Sequence, residues 1–212
     1  LDQNSVYGNL GRGMALCLQG KPEEAIDYLE VARSFKPKLF ETQYYLGISY
    51  FNMGKQEKKY YKNAITYFDN AIKINLNSSD CYFYRGISQF FGGKIEEAYK
   101  DLEKYNSLSS ENVKKMEFYL YDGIASYHLK KFDQALERLS HIPESDSMYS
   151  EVLYFRGISQ LRNDKTDEAF ADLNKYLELK PNNPNLYADI AEYYSNNEDL
   201  DLAYVYYKKA SL

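Results

Sequence analysis

The chain has 212 residues, of which 24 are tyrosine and none is tryptophan, and its formal net charge is −5. A hydrophobic fraction of 44% and a charged fraction of 27% are typical of a folded globular chain. The negative charge argues against nucleic acid as a partner, because phosphate binding requires clustered Lys and Arg. The apolar runs are too short to cross a bilayer, so no membrane insertion is predicted. No signal peptide is visible, which favours the cytoplasm.

A small residue recurs along the chain and marks an internal repeat. Residues 83–89 (FYRGISQ) are nearly repeated at 154–160 (YFRGISQ), with weaker copies around residues 47 and 123. Alanines follow these small residues at a fixed spacing, which lets two antiparallel helices approach closely across a short turn. The pairs twelve residues apart are Gly13 with Ala25, Gly86 with Ala98, Gly123 with Ala135, Gly157 with Ala169 and Ala191 with Ala203; Gly47 precedes Ala64 by seventeen.

Helix boundaries are marked in chain order by prolines, glycines and acidic residues. Pro22 occupies the first position of a second helix, where proline is tolerated, and Pro37 and Pro181 end second helices. Acidic pairs at 23–24, 96–97 and 167–168 begin second helices and complement the helix dipole. Two departures are predicted. An insertion around residues 56–62 forms a solvated helix extension, and Pro143 truncates the second helix of its repeat.

In its pattern of small, aromatic and proline positions the chain resembles a tetratricopeptide repeat array, whose unit of about 34 residues is a helix pair. Counted from the glycines, six copies occupy residues 6–39, 40–78, 79–112, 116–149, 150–183 and 184–212. The resemblance implies an all-α fold, a right-handed α-solenoid superhelix of antiparallel helix pairs, with residues 1–212 as a single array. It also implies a scaffold for protein–protein interaction and no enzymatic activity.

A charge pattern tests this register, because position 7 on the first helix of a repeat should face position 23 on the second. The predicted pairs are Arg85 with Asp101, Arg156 with Asp172 and, with the signs reversed, Asp122 with Arg138. In the first repeat the pair is Arg12 with Tyr28. Each pair is expected to contribute about 0.3–1 kcal/mol if it is solvated.

The family lines the concave wall of its superhelix with first helices, chiefly through positions 2, 5, 6, 9, 12 and 13. Positions 5, 6 and 9 of the second to fifth repeats carry aromatic and aliphatic side chains in this sequence. Tyrosine suits a binding surface because it offers a large area at a low cost in rotamer entropy. Packing between repeats is the alternative for some of the rings. The predicted partner-binding groove is Tyr44, Tyr45, Ile48, Phe83, Tyr84, Ile87, Leu120, Tyr121, Ile124, Tyr154, Phe155 and Ile158.

Carboxylates at position 2 are predicted to form an acidic edge of this groove, and they are Glu41, Asp80, Glu117 and Glu151. Some relatives clamp a C-terminal carboxylate with Lys, Arg and Asn at the groove positions, and those residues are missing here. The predicted partner is therefore a protein or peptide with apolar or aromatic side chains and some basic character.

No catalytic, metal-binding or cofactor-binding residue is predicted. His128 and His141 lie on different helices of one repeat, without a Cys or His at ligand spacing. Cys17 and Cys81 are expected to be buried free thiols.

Two alternatives to a groove-binding scaffold stay open. The chain could self-associate through an uncapped C-terminal end, or it could be the accessory repeat region of a larger multidomain protein.

Overall fold

The computed structural model describes residues 5–110 and 114–211, and the regular structure of these residues is entirely helical. The chain divides into two compact units, unit 1 at Leu1–Lys114 and unit 2 at Lys115–Leu212. Unit 1 contains α1 (Val6–Leu18), α2 (Pro22–Phe35), α3 (Phe40–Gly54), α4 (Tyr61–Ile74), α5 (Ser79–Phe91) and α6 (Ile95–Leu108). Unit 2 contains α7 (Met116–His128), α8 (Phe132–Ser140), α9 (Tyr149–Leu161), α10 (Thr166–Leu179), α11 (Pro184–Asn196) and α12 (Leu200–Ala210).

Within each unit the helices pack as consecutive pairs. Each first helix contacts the second helix that follows it, as α1 contacts α2 and α9 contacts α10. Successive first helices also contact each other: α3 touches α1 and α5 in unit 1, and α9 touches α7 and α11 in unit 2. One wall of each unit is therefore made of first helices, which is the arrangement of an α-solenoid. The all-α prediction is confirmed, whereas the repeat boundaries stay a prediction.

The small residues of the repeat lie where the two helices of a pair touch. A Cβ atom on Gly13 would lie 2.6 Å from Cγ of Leu29, and one on Gly157 would lie 2.5 Å from Cδ2 of Leu173. Overpacking of this kind costs about 1–3 kcal/mol. The alanines of the second helices fill the same contact and are fully buried in the first five pairs, at Ala25, Ala64, Ala98, Ala135 and Ala169.

Each tight turn between the helices of a pair passes through one residue of positive φ. Unit 1 uses Gly20 and Gly93, at φ of 74° and 78°. Unit 2 uses Lys130, Asp164 and Glu198, at 59°, 57° and 63°. In all five turns the N–H of the next residue donates to the carbonyl five residues before it, which closes the first helix. The conformation suits glycine and costs other residues about 1–2 kcal/mol.

The insertion after α3 is not the predicted helix extension. The chain turns at the end of α3 and forms a single 3-10 turn at Lys58–Tyr60 before α4 begins. The reason is the next residue, Tyr61, whose buried ring lies directly against Gly54 and stacks on Phe91 with centroids 5.2 Å apart. Burial of this ring pulls the chain back onto α3. The prediction for Pro143 is confirmed, since α8 ends at Ser140 after nine residues.

All three predicted charge pairs form, which confirms the register. Asp122 is fully buried, and the side chains of Asp101 and Asp172 are only 9% and 10% exposed. The expectation for solvated pairs therefore does not apply, because loss of one partner leaves a buried charge uncompensated. The bonds are Arg85 Nη2 to Asp101 Oδ1 at 2.6 Å, Arg156 Nε to Asp172 Oδ2 at 2.6 Å and Arg138 Nε to Asp122 Oδ2 at 2.7 Å.

Candidate functional site

In unit 1 the exposed part of the predicted groove lies on α3 and α5. Tyr44, Tyr45 and Ile48 on α3 and Tyr84 on α5 are half-buried. The ring of Tyr84 stacks on Phe68 with centroids 5.9 Å apart and planes at 13°. The ring of Tyr44 meets that of Tyr45 edge-on at 5.1 Å. These contacts fix the rings while part of each remains open to solvent.

Five of the predicted groove residues belong to the core instead, and their exposed fractions lie between 1% and 5%. The prediction that they face a partner is corrected. Position 9 of the third to fifth repeats and position 5 of the third and fourth lie on the stripe of the first helix that faces its own pair. The ring of Phe83 on α5, for example, packs against Tyr105 on α6 with centroids 5.0 Å apart. The five residues are Phe83, Ile87, Leu120, Ile124 and Ile158.

In unit 2 the half-buried groove residues are Tyr121 on α7 and Tyr154 and Phe155 on α9. The hydroxyl of Tyr154 donates a hydrogen bond to the carboxylate of Asp189 on α11. Burial raises the pKa of Tyr154, and the bond to Asp189 raises it further. Phe155 meets the ring of Tyr127 edge-on at 5.5 Å. Side chains of three successive first helices are thus joined.

The predicted acidic edge is partly engaged within the protein. Glu41 and Glu117 are exposed, and Asp80 and Glu151 are half-buried. Partial burial opposes ionisation of Glu151, but hydrogen bonds from Ser150 and Lys180 lower its pKa overall. The Nζ of Lys180 lies 3.1 Å from its carboxylate. The charge of Glu151 is therefore matched, which leaves the exposed carboxylates to give the edge its acidity.

Unit 2 also contains a cleft of about 380 Å³ at the C-terminal ends of its first helices. Its walls come from α7, α8 and α11, from the C-cap of α9 and from the turn between α7 and α8. Arg162, which caps the end of α9, binds Glu192 of α11 with Nη2 and Oε2 2.6 Å apart. The lining residues are Tyr127, His128, Lys130, Phe132, Arg162, Glu192 and Asn196.

Comparisons with known proteins agree with this architecture. Residues 150–183 match the model of the tetratricopeptide repeat family. Solved structures of repeat proteins superpose on most of the chain. YrrB, described as a TPR protein with an unusual peptide-binding site, is 16% identical over 86% of this chain and 90% of its own, with a TM-score of 0.64. MamA from Desulfovibrio magneticus RS-1 is 20% identical over 85% of this chain and 97% of its own, with a TM-score of 0.66. No curated protein sequence matches the chain.

Residues 150–183 form a tetratricopeptide repeat, and the fold of the chain is that of solved tetratricopeptide repeat structures. Repeats of this family form scaffolds for protein–protein interaction. None of the described helices is both long and apolar enough to span a bilayer. Within residues 5–110 and 114–211, no three His, Cys, Asp or Glu side chains come together as metal ligands do. Cys17 and Cys81 are buried free thiols, as predicted, and burial raises the pKa of Cys81 to about 11.

The sequence analysis did not predict the cleft of unit 2. Tyr127, His128 and Arg162 occupy positions 12 and 13 of their repeats, which the family pattern also places on the first-helix wall. Positions 12 and 13 are therefore the sequence signal for the cleft, whereas the predicted groove used only positions 5, 6 and 9. Lys130 gave no signal, because its turn position is one that unit 1 fills with glycine.

Proposed function

We propose that this chain is a non-catalytic scaffold that binds an extended or helical segment of a protein partner on its first helices. One observation carries the proposal: aromatic rings on neighbouring first helices are half-buried and held by contacts with one another. Rings that are already fixed lose little rotamer entropy when a partner covers them. A surface with an apolar centre and a polar rim is also the usual composition of a protein-binding site.

The proposed partner segment carries apolar or aromatic side chains and some basic ones. In unit 1 the carboxylates of Glu41 and Asp80 edge the aromatic surface, and the net charge of the chain is negative. The charge of Asp80 reaches the rings, since after burial it is the next cause that raises the pKa of Tyr44. The peptide-binding site for which YrrB is described supports a peptide ligand for this fold.

The test begins with peptides selected from a displayed library against the whole chain, whose affinities are then measured by calorimetry. For unit 1 the variant is Tyr45→Ala with Tyr84→Ala. Each ring is expected to contribute more than about 1 kcal/mol, so the double variant should bind at least about tenfold more weakly. Tyr28→Ala is the matched control, because Tyr28 lies on the second helix α2 and outside the surface. Unchanged binding by a double variant that still melts cooperatively would refute the unit 1 surface.

Unit 2 is tested in the same way with Tyr121→Ala and Phe155→Ala. Tyr154 is left intact in this variant, because its bond to Asp189 joins α9 to α11. A peptide that depends on the rings of only one unit would restrict the proposal to that unit.

Self-association is the second candidate function, and one surface favours it. The last described helix, α12, exposes apolar side chains, with Tyr204 70% and Leu200 68% exposed. Val205 and Tyr207 on the same helix are also exposed. A second copy could cover this face. Light scattering across a concentration series should then show dimers or larger species, which Leu200→Ser with Tyr204→Ser should abolish. A monomer at millimolar concentration would eliminate this candidate.

A further inference from the structure

Two tyrosines at the same position of the repeat differ in whether their hydroxyl groups are engaged. Tyr44 on α3 and Tyr154 on α9 each occupy position 5, and each meets the next ring of its own helix at 84°. The hydroxyl of Tyr154 donates a hydrogen bond to Asp189, which is at position 6 of the following first helix. Position 6 after Tyr44 is Tyr84, and no described residue accepts a hydrogen bond from the hydroxyl of Tyr44. Unit 2 therefore satisfies internally a donor that unit 1 leaves open.

The hydroxyl of Tyr44 lies in partly desolvated surroundings of negative charge. Burial is the largest cause that raises the pKa of Tyr44, and the charge of Asp80 is the next, so the group remains a hydrogen-bond donor at neutral pH. Polar groups withdrawn from water are normally hydrogen-bonded. A carboxylate or phosphate acceptor would be repelled by Asp80 and by the exposed Glu41, which pairs with no described cation. The surroundings favour a neutral carbonyl as the acceptor.

A peptide carbonyl is free to accept only where the peptide makes no internal hydrogen bond to it. An α-helix bonds its carbonyls internally except at its last turn, whereas a polyproline II segment bonds none of them. The N–H groups matter as well, because the ring of Tyr44 is surrounded by those of Phe40, Tyr45 and Phe68, which would leave a peptide N–H without an acceptor. Proline has no N–H to satisfy. The surface therefore suits an extended segment rich in proline.

The spacing of the rings agrees with the repeat of such a segment. Tyr44 on α3 and Tyr84 on α5 both contact the buried ring of Phe68, with centroids 6.2 and 5.9 Å away. Packed helices lie about 8–10 Å apart, and a polyproline II segment presents the same face every three residues, a rise of about 9 Å. A β-strand presents the same face every two residues, a rise of about 7 Å. Prolines three residues apart can therefore reach α3 and α5 together.

We infer that the first-helix wall of unit 1 binds a proline-rich segment in the polyproline II conformation. One backbone carbonyl of the segment accepts a hydrogen bond from Tyr44, and two prolines three residues apart lie on the rings of Tyr45 and Tyr84. A basic residue next to the prolines lies beside Glu41 and Asp80. The inference rests on the proposed function and names the class of partner. Little conformational entropy is lost on binding, because the rings already hold one another and proline fixes φ in the segment.

The experiment titrates the full chain, labelled with ¹⁵N, with three acetylated and amidated peptides. The first, Arg-Pro-Ala-Ala-Pro-Ala-Ala-Pro, has prolines three residues apart. The second, Arg-Pro-Ala-Pro-Ala-Pro-Ala-Ala, has the same composition, but no two of its prolines are three residues apart. The third, Leu-Lys-Ala-Leu-Leu-Lys-Ala-Leu-Leu-Lys-Ala-Leu, forms an amphipathic helix. The signals followed are the backbone amides of Tyr45 and Tyr84 in unit 1 and of Tyr121 and Phe155 in unit 2.

The first peptide should shift the unit 1 signals and bind at least about fivefold more tightly than the second, which places only one proline on a ring at a time. Tyr44→Phe keeps the ring and removes the hydroxyl. It should weaken the first peptide about two- to tenfold, as loss of one neutral hydrogen bond does. Tyr28→Phe, which removes a hydroxyl from the second helix α2 outside this surface, is the matched control and should leave the affinity unchanged.

Equal affinity for the first two peptides would overturn the inference, and so would a Tyr44→Phe variant that binds the first peptide as tightly as the parent chain does. Shifts of the unit 1 signals by the helical peptide alone would also overturn it, while the proposed function stands. Shifts by the first peptide that are confined to unit 2 would overturn it for unit 1. No shift with any of the three peptides would overturn the inference as well, and the peptides selected from the displayed library would then decide the proposed function separately.

Discussion

Units 1 and 2 use the same helix pair but build its turn from different residues. Unit 1 places Gly20 and Gly93 at the position of positive φ, whereas unit 2 places Lys130, Asp164 and Glu198 there. All five turns keep the same backbone hydrogen bond. The difference shows that helix packing and this bond impose the turn. The residue at this position sets only the free-energy cost of the left-handed conformation. In unit 2 this cost arises at three non-glycine residues.

The first pair of unit 2 also reverses the ion pair that unit 1 has at Arg85, whereas the second pair of unit 2, Arg156 with Asp172, keeps the unit 1 orientation. In unit 1 the guanidinium of Arg85 belongs to the first helix and reaches Asp101 on the second, and it also binds Asp69 of the preceding pair. In the first pair of unit 2 the carboxylate of Asp122 belongs to the first helix, and the guanidinium of Arg138 to the second. The helix pair therefore accepts the ion pair in either orientation.

The largest effect is expected from Asp122→Ala. This change removes a fully buried carboxylate from beside the guanidinium of Arg138, so unit 2 should lose about 3 kcal/mol, the low end for a broken buried pair, because the exposed carboxylate of Glu137 still binds that guanidinium. Urea denaturation measures the loss. Arg12→Ala in unit 1 is the comparison, because Arg12 lies over the ring of Tyr28 at 4.8 Å and is exposed. Its loss should stay near 1 kcal/mol or below.

Reversal of the pair then tests whether orientation matters. Asp122→Arg with Arg138→Asp gives unit 2 the orientation that unit 1 has at Arg85. The double variant should recover at least half of the stability that Asp122→Arg alone removes, since the two charges again neutralise each other. A double variant no more stable than the single one would show that the surroundings, and not the pair, fix the orientation.

A smaller effect is expected at the turns. Asp164→Gly should stabilise unit 2 by about 0.5–1 kcal/mol, because it removes a left-handed conformation that costs about 1–2 kcal/mol but adds freedom to the unfolded chain. Gly93→Ala should destabilise unit 1 by about 1 kcal/mol. The midpoint of urea unfolding measures both. Gly11→Ala on the exposed face of α1 controls for glycine removal itself, and it should stabilise by about 1 kcal/mol. Equal signs for the two turn variants would contradict this account.

The smallest effect concerns pH and should fall on unit 2, because both histidines of the chain lie there. Burial lowers the pKa of His128 in the folded state, while the unfolded chain takes up this proton near pH 6.5. Stability from this group is therefore present above about pH 6.5 and is lost as the pH falls toward the folded pKa. The difference between the urea midpoints measured at pH 7.5 and at pH 5.5 should be smaller in His128→Gln than in the parent chain.

His141→Gln is the control for the pH effect. The pKa of Asp189 is raised by burial, and this works in the opposite direction, because uptake of its proton favours the folded state as the pH falls. Asp189 is present in both the parent chain and the His128→Gln variant, so their difference isolates the imidazole. If the parent chain gained stability relative to His128→Gln as the pH fell from 7.5 to 5.5, the sign would contradict a lowered pKa of the partly buried His128.

The sequence by itself determined the helix pairs and their register. The glycine and alanine spacing marks a contact between helices that has no room for a larger side chain, and the reversed pair of Asp122 and Arg138 meets in the predicted register. Pro143 likewise acts locally, since it has no N–H to continue α8. These features depend on neighbours within one pair, so they can be read from the chain alone.

The tertiary structure decided which residues remain on the surface. Position 5 is half-buried at Tyr44 and buried at Phe83, although both belong to the same column of the repeat pattern, because the ring of Phe83 packs on Tyr105 of its own pair. The insertion after α3 returns to that helix because the ring of Tyr61 is buried against Gly54. The cleft of unit 2 is lined by side chains from α7, α8 and α11, from the C-cap of α9 and from the turn after α7. No spacing rule joins such side chains, and only the packed unit brings Lys130, Arg162 and Asn196 together.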